Sequence, residues 1–106
     1  MLEKKQTIAI IDITCNSERE FGFDKIAMRI ARFPEVENIA VVSGKTDLTV
    51  KIKTDSVEAV SRFVTEVLAP MSGVQSTATH FFMKTYKLNG QLLFDDPKPS
   101  RLPISA

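Results

Sequence analysis

The run Arg32-Phe33-Pro34 forces a change of backbone, and the rest of the chain can be placed against residues 31–47 around it. A proline pushes the residue before it out of the α region and supplies no backbone donor, so a helical pattern must end here. Residues 36–43 then read as a strand. Gly44 supplies a residue able to take positive φ in a turn, and Asp47 has a short side chain that bonds nearby backbone. Residues 48–53 alternate cleanly, with Leu48, Val50 and Ile52 on one face and Thr49, Lys51 and Lys53 on the other. The pattern predicts a β-hairpin with one half-buried strand.

On either side of this hairpin the periodicities are equally legible. Thr7–Cys15 is rich in β-branched residues, with Ile8 and Ile10 on one face and Ala9, Ile11 and Ile13 on the other, so a central strand is expected. Asp12 interrupts the first set and is expected where the strand nears water. Residues 17–33 read as a helix, opened by a Ser17/Glu20 capping box and carrying Phe23, Ile26, Ala27 and Ile30 on one face. A second helix begins at Asp55 with Glu58 as its capping partner. Its core stripe is Val57, Val60, Phe63, Val64, Val67 and Leu68, and Pro70 and Gly73 close it. Residues 74–86 form a long last strand, and beyond Asn89-Gly90 no period is sustained.

The boundaries expected are therefore a leader at 1–6, one domain at 7–88, and a C-terminal arm or disordered tail at 89–106. A chain of 106 residues has room for one core. A formal net charge of +1, with scattered basic residues, argues against a protein built mainly to grip nucleic acid, since phosphate binding relies on clustered Lys and Arg. Cys15 is the only cysteine, which excludes an internal disulfide and a thiolate zinc site; it reads as a small residue near a strand end. No apolar run approaches the length of a spanning helix and no signal-peptide pattern opens the chain, so a cytoplasmic, membrane-free protein is expected.

The order β, α, β, β, α, β is the ferredoxin-like α+β plan: one antiparallel sheet with both helices on the same face. That plan leaves the second face uncovered. Alternate residues of a strand leave on opposite faces, so Ile10 and either Phe81 or Phe82 cannot all reach the helices. Leaving such side chains in water costs about 1.5–3 kcal/mol each relative to burial, and a symmetric second copy is the expected cover.

The runs Phe33-Pro34-Glu35-Val36, Val42-Ser43-Gly44-Lys45-Thr46-Asp47-Leu48, Val64-Thr65-Glu66-Val67-Leu68, Gly73-Val74-Gln75-Ser76-Thr77-Ala78-Thr79-His80-Phe81 and Tyr86-Lys87 together carry a resemblance. In order and spacing, residues 7–87 resemble the C-terminal effector-binding domain of the Lrp/AsnC transcription regulators, also called the RAM domain. The resemblance implies a dimeric α+β barrel, formed as a homodimer that assembles further into a ring, typically an octamer. It implies an amino acid or similar small effector bound between dimers, near the turn residues Ser43, Gly44, Lys45, Thr46 and Asp47 and the strand residues Ser76, Thr77 and Thr79. The chemistry suits a zwitterion: Gly44, Thr77 and Thr79 offer donors for a carboxylate, and Asp47 an acceptor for an ammonium group. No cofactor, metal or catalytic residue is implied, and an enzyme is not expected.

One departure matters for function. The family places a helix-turn-helix domain before this one, whereas only residues 1–6 precede the first strand here. The expectation is an effector-binding and oligomerisation module without direct nucleic-acid contact, acting through assembly with itself or with full-length regulators. Two other classes stay open. A small α+β barrel enzyme, such as a cofactor-free oxygenase or isomerase, would have to use His80 or Asp12, but no nucleophile paired with a base marks such a site. A pure assembly module would bind no ligand at all.

Overall fold

The computed structural model describes residues 6–16 and 23–94. Its element order is β1 (Thr7–Cys15), α1 (Asp24–Ala31), β2 (Val36–Val41), β3 (Leu48–Thr54), α2 (Val57–Phe63) continuing as one π-helical stretch (Val64–Leu68), and β4 (Val74–Phe81). A small hairpin of β5 (Lys87–Leu88) and β6 (Gln91–Leu92) follows. The four long strands form one sheet in the order β2-β3-β1-β4, antiparallel at every junction. This is the expected ferredoxin-like plan, and it puts the hairpin turn of β2–β3 and strand β4 on opposite sides of β1.

The two faces of the sheet differ as the alternation predicts. Ala9, Ile11 and Ile13 of β1 and Leu48, Val50 and Ile52 of β3 are fully buried against Ile26 and Ile30 of α1 and Val60, Phe63 and Leu68 beyond. On the other face Ile8, Ile10, Asp12 and Thr14 remain half-buried. Asp12 stays partly exposed and is paired within the sheet: Thr49 Oγ1 donates to its Oδ1 at 3.2 Å, and His80 Nε2 lies 3.2 Å from its Oδ2. Glu37 reaches two lysines of β3 on the same face, Lys53 at 3.1 Å and Lys51 at 3.6 Å, and the Lys53 hydrogen bond holds its carboxyl below the usual carboxylate range.

Several boundaries fall elsewhere than the sequence suggests. Helix α1 ends at Ala31, where Arg32 and Phe33 close the last turn with tighter bonds to Arg29 and Ile30 before Pro34. The Ser17/Glu20 capping box lies outside the described residues. The cap of α2 is Ser56 rather than Asp55: its Oγ accepts the Ala59 N–H at 3.1 Å, and its extended backbone is the geometry a cap requires. Strand β4 stops at Phe81 rather than running to Tyr86, because its neighbour β1 begins at Thr7 and the last sheet bond is Phe82 N–H to Ile8 carbonyl at 2.9 Å. Residues 91–92, expected in an unstructured arm, pair with 87–88 across Asn89 (φ 49°) and Gly90 (φ 83°), both in the positive-φ region that a two-residue hairpin turn demands.

Candidate functional site

The turn at residues 43–47 is closed by one bond and stitched to the end of β1 by two. Val42 N–H donates to the Asp47 carbonyl at 2.9 Å, Asp47 N–H to the Ile13 carbonyl at 2.9 Å, and Cys15 N–H to Asp47 Oδ2 at 2.8 Å. Gly44 sits at φ +131° with open space where a Cβ would be, so backbone conformation rather than crowding reserves this position for glycine. The next residue of β1's exit, Asn16, donates to the Gly73 carbonyl at 2.8 Å, which ties the start of β4 to the same end of the sheet. Burial, and then the nearby Asp47 carboxylate, push the Cys15 thiol up, so it stays protonated and unreactive at neutral pH.

The residues expected to hold an effector stand in two groups, most of them at one end of the sheet and Thr79 nearer its middle, opposite Ile11. Ser43, Gly44 and Lys45 are exposed and Thr46 and Asp47 half-buried on the β3 side of β1. Thr77 and Thr79 are half-buried on the β4 side, opposite Ile13 and Ile11 and therefore on the helix face. Leu48, Ile13 and Thr77 form a row across the sheet, so the two groups stand two strand spacings apart, roughly 10 Å. Ser76 pairs with Thr14 and points to the other face, away from the two threonines. The side chains of Ser43, Lys45, Thr46, Ser76, Thr77 and Thr79 make no hydrogen bond among the described residues, which leaves their donors open to a ligand.

Asp47 has a structural task that the sequence did not show. One of its oxygens caps the last amide of β1, and the other remains for a second partner. The Asp12–His80–Thr49 cluster was also missed, because the three residues come from three strands and meet only through the register. Among the described residues, no group of three or more His, Cys, Asp or Glu side chains is arranged to hold a metal ion. At the far end of the sheet, about six residues or roughly 20 Å along β3, a cavity of about 500 Å3 opens between the end of β3, α2 and the α1–β2 loop. None of the expected effector residues lines it.

Comparison with known proteins agrees with this arrangement. The family model described as the Lrp/AsnC ligand binding domain matches residues 8–92. An uncharacterised HTH-type transcriptional regulator of Bacillus subtilis, YugG, is 40% identical over 97 residues, which are 92% of this chain and 58% of that protein. The HTH-type regulator FL11 of Pyrococcus horikoshii is 29% identical over 66% of this chain and 46% of its own length. The chain therefore spans about half the length of these relatives. Among solved structures, the hypothetical protein PHS023 of Pyrococcus horikoshii superposes with a TM-score of 0.65 at 28% identity, covering 76% of this chain and 93% of that one. A transcriptional regulator of Neisseria meningitidis, solved as its complex with L-Met, superposes with a TM-score of 0.72 at 24% identity over 82% of this chain and 56% of that one, a likeness of fold. No helix among the described residues is long and apolar enough to cross a membrane. The relatives are transcription regulators rather than enzymes, and with the match extending from β1 through β6 the chain belongs to the Lrp/AsnC ligand-binding domain family.

Proposed function

We propose that this domain is a cytoplasmic effector-sensing and assembly module that binds an amino acid at the turn end of its sheet and passes the signal on through self-association or association with full-length regulators of its family. The observation that carries this reading is the convergence of the 43–47 turn with the start of β4, both stitched to the end of β1. Their free hydroxyls and amides suit a carboxylate, and the second oxygen of Asp47 suits an ammonium group. That a Neisseria meningitidis regulator of the same fold was solved with L-Met makes amino acids the first class to test.

The two groups stand on opposite sides of β1, with the buried Ile13 between them. A small zwitterion bound by one group is therefore completed by a neighbouring subunit, and binding is coupled to assembly by the difference in affinity between the two states. A thermal-shift screen over the amino acids at two protein concentrations tests this, because a ligand bound only by the folded assembly raises its midpoint. Calorimetry on wild type and Thr79→Val then locates the site, with weaker binding expected for the variant. No midpoint shift with any amino acid would remove the effector reading and leave an assembly module.

A further inference from the structure

We infer that the cavity beside α2 is a second ligand site, which takes a small molecule with one carboxylate and two cationic groups on an aliphatic stem, the chemistry of a basic amino acid. At about 500 Å3 the cavity falls within the range of clefts that hold small molecules, roughly 300–1000 Å3. Its floor is apolar and fixed. Phe63 is buried there with its ring edge-on to that of Phe33, 5.7 Å away, and Val67 is half-buried one turn further on.

The charges lining the cavity divide into those already used and those left over. Lys53 reaches Glu37 at 3.1 Å, and Asp55 is also engaged. Arg62 and Glu66 on the helix and Glu35 on the facing α1–β2 loop make no side-chain hydrogen bond or ion pair among the described residues. The loop is fixed to the sheet by the Glu35 carbonyl, which accepts the Lys53 N–H at 3.3 Å. One guanidinium and two carboxylates are therefore open to a ligand.

That Arg62 and Glu66 do not pair is the feature that most favours an occupant. Opposite charges four residues apart on an α-helix are neighbours and stabilise it by pairing. Here the helix passes into π geometry at Val64: the Ala69 N–H donates to the Val64 carbonyl, five residues back, at 2.8 Å, and Glu66 lies inside that stretch. The wider turn alters the angle between positions four apart, so the two groups stand unpaired while both line the same cavity. Such π turns are rare and recur at functional sites. Arg62 presents a planar fork to a carboxylate, and Glu66 and Glu35 each accept from a cationic nitrogen, with the stem over Phe63 and Val67 between them. A ligand with one cation leaves a carboxylate unanswered, and one without a carboxylate meets Arg62 as a like charge. The cavity lies at the far end of the sheet from residues 43–47, so its occupancy is independent of any effector bound there.

Calorimetry on the whole chain tests the site with L-lysine and L-arginine as probes. Both should bind, with cadaverine, which lacks the carboxylate, and L-norleucine, which lacks the second cation, each about tenfold weaker or more. L-Norleucine binding as tightly as L-lysine, or no heat from either basic amino acid, would overturn the inference. Arg62→Met and Glu66→Gln change exposed side chains and should each weaken L-lysine about tenfold or more, with circular dichroism confirming that both variants are folded. Wild-type affinity for L-lysine in either variant would place the ligand elsewhere and overturn the site. Failure at the turn end is read separately, from Thr79→Val, so each site can stand or fall without the other.

Discussion

Replacing Asp47 separates its structural role from its proposed ligand role. In Asp47→Ala the N–H of Cys15 loses its 2.8 Å acceptor at the part-buried end of β1, while the Asp47 backbone bond to Ile13 is untouched. Losing a hydrogen bond to a charged group costs about 1.5–3 kcal/mol, and partial burial places this one at the lower end. For a domain of this size each kcal/mol lowers the melting midpoint by about 4–8 °C, so a fall of roughly 6–12 °C is expected at fixed protein concentration. Asp47→Asn keeps an acceptor for Cys15 but no charge, and should lose about half as much or less. Both variants should lose amino-acid affinity, because a neutral amide does not replace a carboxylate opposite an ammonium group. Urea melts and calorimetry on the same samples read the two effects. An unchanged melt for Asp47→Ala would refute the capping role, and wild-type affinity in Asp47→Asn would remove the carboxylate from the ligand site.

Ser56→Ala removes the acceptor for Ala59 and should cost about 0.5–2 kcal/mol in a denaturant melt, whereas Asp55→Ala leaves that bond in place. Gly73 has φ +96° and an added Cβ would stand 2.5 Å from Ile26 Cδ1, so Gly73→Ala should destabilise by more than about 1 kcal/mol; a neutral result would refute the backbone strain as well as the crowding. Because the folded state holds the Cys15 thiol above its ordinary value, it binds more protons than the unfolded chain over that interval. Its contribution is thus complete below about pH 8.5 and is lost as pH rises beyond it, so wild type should fall faster than Cys15→Ala in melts taken from pH 8 upward. Parallel slopes would show that the thiol titrates alike in the folded and unfolded chain and would refute the upward shift.

The fold was legible because its determinants are local. Alternation in Thr7–Cys15 and 48–53, and the helical stripe through Val60 and Phe63, each reflect one period and one buried face, and the buried set follows them. What escaped depends on who lies beside whom. The long run 74–86 has strand composition throughout, but an edge strand persists only while its neighbour offers partners, and β1 offers none beyond Thr7. The capping box at Asp55/Glu58 and the cap at Ser56 differ by one residue, and only the extended backbone of Ser56 decides between them. Asn89-Gly90 was seen as a stop, but as a turn it required residues 91–92 to return onto 87–88. The candidate site was legible as a set of residues and not as a geometry: Asp47's bond to Cys15 spans 32 positions, and no spacing in the sequence announces it.

The two faces of the sheet also bear on how such a module could couple binding to assembly. The helix face is closed by a core of Ile, Leu and Val that one chain completes alone. The other face is mixed: half-buried Ile8 and Ile10 lie among Asp12–His80–Thr49 on one side and Glu37 with its lysines on the other. Those polar groups are already paired within the chain, so a partner covering the face desolvates satisfied pairs rather than orphaned charges, and the gain from burying the isoleucines is set against that desolvation cost. A face that gains from contact but is tolerable without it suits reversible association. The turn residues proposed to hold an effector lie at one end of this sheet, so a ligand there need not rebuild the shared face to act. It has only to favour one arrangement of neighbouring subunits at the end of β1, and it can shift the population by no more than its differential affinity for that arrangement.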